Sequence, residues 1–120
     1  MSRIVPIREP IKSREVVHSE HARRKWASTR LRCYFDRQNC HSNVGMHTHH
    51  IVGGSGRSDE ACNLIRVCAY CHRRIHRTER PVITLYDVLM AKLDHDPKEY
   101  DLDRIEELRG SAILLRDALK

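Results

Sequence analysis

Apolar and polar positions change their spacing repeatedly along this chain, and each change marks an element. Residues 1–12, MSRIVPIREPIK, contain Pro6 and Pro10 and no sustained period, which predicts an extended arm, either a loose terminus or one whose Arg3, Arg8 and Lys12 touch phosphate. Ser13 suits an N-cap, and the charged, helix-permissive run from there to about Ser28 predicts a helix with Trp26 as its core anchor. Residues 31–35, LRCYF, read as a short strand, and the polar DRQNCHSN after them reads as a turn. VGMHTHHIV, residues 44–52, alternates like a strand and stops at Gly53-Gly54, while Asn63 to Val67 gives the second strand of a hairpin. Cys71 to about Thr78 predicts a helix that Pro81 prevents from continuing, so the middle of the chain is a ββα unit.

Beyond Pro81 the period is helical. Thr84 with Asp87 makes a helix start, and Leu85, Val88, Leu89 and Leu93 form a stripe that ends near Asp94. Asp101 or Asp103 caps a last helix carrying Leu102, Ile105, Leu108, Ala112 and Leu115, with Gly110 as its weak point. The predicted architecture is a small α+β fold. A basic arm (1–12) precedes a central domain (13–80), and a helical acidic tail (81–120) completes the chain.

Size and charge sharpen this outline. A chain of 120 residues that is 40% apolar makes one small domain with a modest core, for which a structural metal is a natural support. Neither a signal-peptide pattern nor a long apolar run is present, so a cytoplasmic protein without membrane contact is expected. Residues 1–80 hold 16 Lys and Arg against 7 Asp and Glu, a balance of +9, whereas residues 81–120 hold 6 against 9, a balance of −3. The basic excess therefore lies with the histidines and cysteines, and a polyanion is its natural partner.

Candidate chemistry is concentrated in residues 46–77, which contain five of the nine histidines and three of the five cysteines. In a reducing compartment such a cluster reads as metal ligation before disulfides, and Cys68-x2-Cys71 lacks the βαβ surroundings of a redox motif. Structural zinc takes four ligands in a tetrahedron, and Cys33 with Cys40 is the evident second pair. Cys62, beside Asn63, falls outside both pairs and reads as a small buried side chain. His72 and His76 are four apart on one helical face, a spacing that lets two imidazoles share a metal. Arg57 in the Gly-rich loop and Arg73, Arg74 and Arg77 on the helix suit phosphate contact.

The order His49-His50, Gly-rich loop, Asn63 before an apolar run, Cys68-x2-Cys71 and His72-x3-His76 resembles the HNH endonuclease family over residues 33–77. The resemblance implies a ββα-metal (His-Me finger) core with a zinc knuckle. It further implies that His49 binds a catalytic metal, that His50 is the general base, and that Asn63 either braces the loop bearing the base or joins the metal, bracing being favoured because His72 and His76 already fill the site. Four thiolates with His49, His72 and His76 then make seven potential ligands, too many for one tetrahedral zinc and suited to a structural zinc plus one catalytic divalent metal. An all-imidazole site suits zinc, nickel, cobalt or manganese better than magnesium. The sequence departs from the commoner family pattern, in which C-x2-C opens the motif. Either Cys40 or Asp36 fills that place, and Cys40 is favoured because thiolates are the usual structural set; His41 is a weaker contender.

The resemblance thus implies a DNA phosphodiester hydrolase, nicking or cutting both strands with weak sequence preference. The stretch DPKEYDLDRIEELRG is similar to tails of small phage-encoded HNH proteins, which implies a phage gene linked to DNA packaging and terminase partners. The rival class is a non-catalytic zinc module that binds DNA or RNA; it accounts for the cysteines and the charge but leaves His49, His50 and His76 without a task.

Overall fold

The computed structural model describes residues 15–36, 40 and 44–110. The arm 1–12, the Ser13 cap, His41, Ala112 and Leu115 lie outside them. Among the described residues the fold is α+β, with four α-helices and one two-stranded antiparallel sheet.

Strand β1 (His47–His50) pairs with β2 (Leu64–Val67) in the register His47 to Val67 and His50 to Leu64. The strands differ in what holds them. Leu64, Ile65 and Val67 of β2 are fully buried, as suits branched side chains packed from both faces, whereas β1 is polar throughout and is held by pairing with β2. Helix α2 (Ala69–Ile75) comes immediately after β2, its N-terminus capped by Cys68, whose sulfur accepts from the Cys71 N–H. Hairpin and helix thus occur in the predicted order, each shorter than predicted.

Two expectations are corrected before the hairpin. Helix α1 (Glu20–Ser28) starts at Ser19 rather than Ser13, with the Ser19 hydroxyl accepting from Ala22 N–H. Residues 15–19 are held out of the helix by the loop after β1, because Val17 N–H donates to Ser58 Oγ at 3.1 Å and Asp59 N–H donates to Val17 O at 2.7 Å. LRCYF is not a strand. It enters a turn in which Asp36 N–H donates to Cys33 O and Phe35 N–H donates to Cys33 Sγ, a conformation that aims backbone donors at the sulfur. Among the described residues one sheet-like contact survives, from Tyr34 N–H to Arg66 O at 2.8 Å.

Helix α3 (Leu85–His95) begins at the Thr84–Asp87 capping box, and α4 (Leu102–Arg109) is capped by Asp101 and ends at Gly110, whose φ of 65° is the left-handed conformation glycine tolerates. One hydrophobic cluster surrounds β2 and includes Trp26, Phe35, Val88 and Ala91; a second joins Val52 to Leu89, Ile105 and Leu108. Helix α3 contributes to both. The acidic segment is thereby packed against the hairpin.

A buried ion network reinforces that packing. Lys92 is fully buried and donates to Asp96 Oδ2 at 3.0 Å and Glu99 Oε1 at 2.8 Å. Arg30 reaches Glu99 Oε2 at 2.7 Å, Trp26 Nε1–H donates to Glu99 Oε1 at 3.0 Å, and the Tyr34 hydroxyl donates to Asp96. Replacing Lys92 by Met keeps the apolar stem but leaves two carboxylates without their buried cation, so a loss of roughly 3–5 kcal/mol is expected. Urea denaturation checks this; a loss under about 1 kcal/mol would mean that the network is dispensable.

Candidate functional site

The sulfurs of Cys33, Cys40, Cys68 and Cys71 lie within 4.8 Å of one another, with Cys40 Sγ 3.6 Å from Cys68 Sγ. All are free thiols, and three of them are fully buried. Backbone N–H groups are already aimed at two: Phe35 at Cys33 Sγ and Cys71 at Cys68 Sγ, each at 3.4 Å. Burial pushes the Cys33 thiol up to about 12 and raises that of Cys71, while at Cys68 burial is outweighed by donors from Cys71, Cys40 and Cys33, so its pKa falls. Four soft donors in so small a buried volume fit a tetrahedral metal ion such as zinc. Asp36 is not in the group; its carboxylate lies 3.5 Å from Arg32. Cys62 is half-buried outside it, with burial pushing its thiol up to about 11.

A second group forms between strand and helix. His49 on β1 and His72 and His76 at the end of α2 each offer a ring nitrogen within 4.8 Å of the others, and the Nε2 atoms of His72 and His76 are 3.1 Å apart. Burial, then the neighbouring imidazoles, push His49 down to about 3 and His72 to about 4. Both are therefore neutral at physiological pH, with lone pairs available to a cation. His47, two residues before His49 and so on the same face of β1, stacks on His72 with centroids 4.8 Å apart. Sequence reasoning passed over it; the alternation in His-Thr-His-His is the signal that marks it.

His50 points to the opposite face of β1 and meets Asp59, its Nε2 2.7 Å from Asp59 Oδ1. Asp59 also accepts from Ser19 N–H at 2.9 Å and from Arg23 Nη1 at 3.3 Å. Burial would raise the Asp59 pKa, but His50, Ser19 and Arg23 outweigh it and keep the carboxylate ionised. An ionised carboxylate only accepts, so neutral His50 carries its proton on Nε2 and its lone pair on Nδ1. Burial lowers the pKa of His50, against the pull of Asp59, and so favours this neutral form. Neither Asp59 nor Arg23 stands out in the sequence. The acidic pair Asp59-Glu60 closing the loop was the available signal, but its contact with α1 joins residues 36 apart.

Asn63 is fully buried. Its Oδ1 accepts from Val52 N–H at 2.8 Å, and its Nδ2 donates to Val52 O at 3.1 Å and Ser58 O at 3.0 Å, which clamps both ends of the loop between them. Within the loop, Gly54 has a φ of +61°. Gly56 lies against α4, where a Cβ would stand 2.1 Å from Leu108 O, so its smallness serves protein packing.

The arginines divide. Arg57 and Arg77 are exposed, and Arg73 is exposed with Glu79 at 3.1 Å. Arg74 is buried, its Nε donating to Pro81 O at 2.6 Å and its Nη1 lying 3.5 Å from Cys71 Sγ. It is committed to the cysteine cluster and is withdrawn from the expected phosphate contacts.

Comparison with models of protein families, with curated proteins and with solved structures finds no match for this chain. No helix among the described residues is long and apolar enough to cross a membrane.

Proposed function

We propose that this chain is a metal-dependent HNH endonuclease that hydrolyses DNA phosphodiester bonds with weak sequence preference, and that β1, the loop, β2 and α2 form its ββα-metal core. The observation that carries the reading is the division of labour across β1: three imidazole nitrogens gather on one face, and an aspartate-held histidine stands on the other. A zinc module that only bound nucleic acid would have no use for either.

His49, His72 and His76 would hold one divalent cation, which when bound supplies a Lewis acid for the phosphate oxygens and the leaving group. The chain's own residues do the rest. Nδ1 of His50 takes a proton from water as the water oxygen bonds to phosphorus. The bridging P–O bond breaks and the leaving oxygen departs with its electron pair, to be protonated from solvent. Asp59 keeps the ring oriented and stabilises the imidazolium that forms, as a carboxylate does behind a histidine base. Asn63 fixes the loop ends, so that His50 and Asp59 keep their relative position.

Relaxation of a supercoiled plasmid, assayed with each of Mg2+, Mn2+, Co2+, Ni2+ and Zn2+ on protein that retains its structural zinc, tests the reading. Relaxation with at least one of them, abolished by EDTA, is expected. One tightly held zinc per chain and no relaxation with any metal would instead favour the binding module.

A further inference from the structure

Between α1 and β1 runs a groove of about 490 Å³ whose walls include Arg23, Arg24, Ser28, His47, Thr48 and Arg66 and no carboxylate. Residues bearing three guanidiniums, an imidazole and two hydroxyls line one space. The acids that answer these arginines sit outside it: Glu20 pairs with Arg24 at 2.5 Å and Asp59 with Arg23 at 3.3 Å. Arg66 is different. It is half-buried, with Nε donating to Arg30 O and Nη1 to Thr48 Oγ1, and has no carboxylate partner among the described residues. Its guanidinium remains charged at physiological pH. A half-buried cation of this kind lacks an anion.

Position favours one anion in particular. Arg23 also lines a second cavity of about 470 Å³, together with Arg57, Gly54 and the carboxylates Glu20 and Asp59, and it is Arg23 that contacts the aspartate holding His50. Through Arg23 the first groove therefore adjoins the Arg23–Asp59–His50 contact, as the seat of a phosphate next to a reacting one would. Leu31, 76% exposed on the wall of the first groove, gives an apolar surface against which sugar or base can lie.

Resting on the nuclease reading, we propose that the groove between α1 and β1 binds the phosphodiester backbone of the DNA strand beside the bond to be cut. Helix α1, rather than the arginines of α2, is then the main electrostatic rail. Because its contacts are to phosphate, it positions the strand without reading bases.

The test is binding of a short DNA duplex, across a salt series, to zinc-loaded full-length His50→Ala protein and to the same protein carrying Arg24→Gln, Ser28→Glu, or Arg73→Gln with Arg77→Gln. Arg24 has a side chain 77% exposed and Ser28 is exposed, so both changes leave the fold intact, which a thermal melt of each confirms. Arg24→Gln should weaken binding and lower the slope of log affinity against log salt by about one. Ser28→Glu, which places a carboxylate in the groove, should weaken it further. The paired α2 changes should move the slope by less than Arg24→Gln does. A parent that binds DNA while Arg24→Gln and Ser28→Glu keep its affinity and slope overturns the groove assignment alone, as does a slope that falls only with the α2 changes. A parent that does not bind DNA overturns the nuclease reading and the groove with it.

Discussion

Replacing Cys68 by Ser should unfold the domain rather than slow it. Cys68 sits at the junction of β2 and α2, caps the helix, and shares its surroundings with Cys33, Cys40 and Cys71. Structural zinc contributes on the order of 10–16 kcal/mol in small metal-dependent domains, against a total stability of roughly 5–15 kcal/mol for ordinary domains. Loss of a zinc held by these four cysteines would therefore be comparable to loss of the whole fold. Circular dichroism and zinc content, measured together, should fall together in Cys68→Ser and in wild-type protein treated with a strong chelator. The pH dependence has a fixed sign: metal-free Cys33 and Cys71 hold their protons far above neutrality, so binding releases protons and zinc affinity rises with pH. A Cys68→Ser protein that melts like wild type would remove the cluster from the account of stability.

The second large effect is on rate. His50→Ala should keep zinc, the added divalent metal and DNA, yet lose about 10²–10⁴-fold in cleavage, the usual contribution of a general base. His76→Ala should first lose affinity for the added metal and recover part of its rate when that metal is raised. Asp59→Asn gives the finer discrimination. An amide can donate to Nε2 and so move the proton of neutral His50 to Nδ1, disabling the base while leaving the ring in place. Its rate should therefore fall towards that of His50→Ala with little change in DNA affinity, and Asp59→Glu should restore part of it. If Asp59→Asn cleaved at the wild-type rate, the hydrogen bond to His50 would be structural only.

How much of this was legible depends on whether the cause was local. The Thr84–Asp87 cap is a short-range signal and was readable directly, and the α4 cap was narrowed to Asp101 or Asp103. The end at Gly110 was read only as a weak point in a helix carried on through Ala112 and Leu115, because their apolar spacing continues past the glycine. The cysteine grouping was readable directly, because thiols in a small core leave few alternatives. Choosing Ser19 over Ser13 was not legible, since both can cap and the decision comes from Ser58 and Asp59, some 40 residues away. LRCYF has a strand's composition, but its backbone turns so that N–H groups face Cys33 Sγ. Arg74 looked like its neighbours Arg73 and Arg77; only the packing of Pro81 and Cys71 over it separates a buried guanidinium from exposed ones. Asp59 was hidden for the same reason, its role being set by contacts with α1 rather than by spacing.

The most direct measurement of the central proposal is the rate of plasmid cleavage as a function of added divalent metal, for zinc-loaded wild type and for His76→Ala. The account predicts a saturable rise for wild type, and for His76→Ala a curve displaced to higher metal concentration. No cleavage by wild type at any concentration of any metal, or the same metal dependence in both proteins, would contradict the assignment of His49, His72 and His76 as the seat of the catalytic ion.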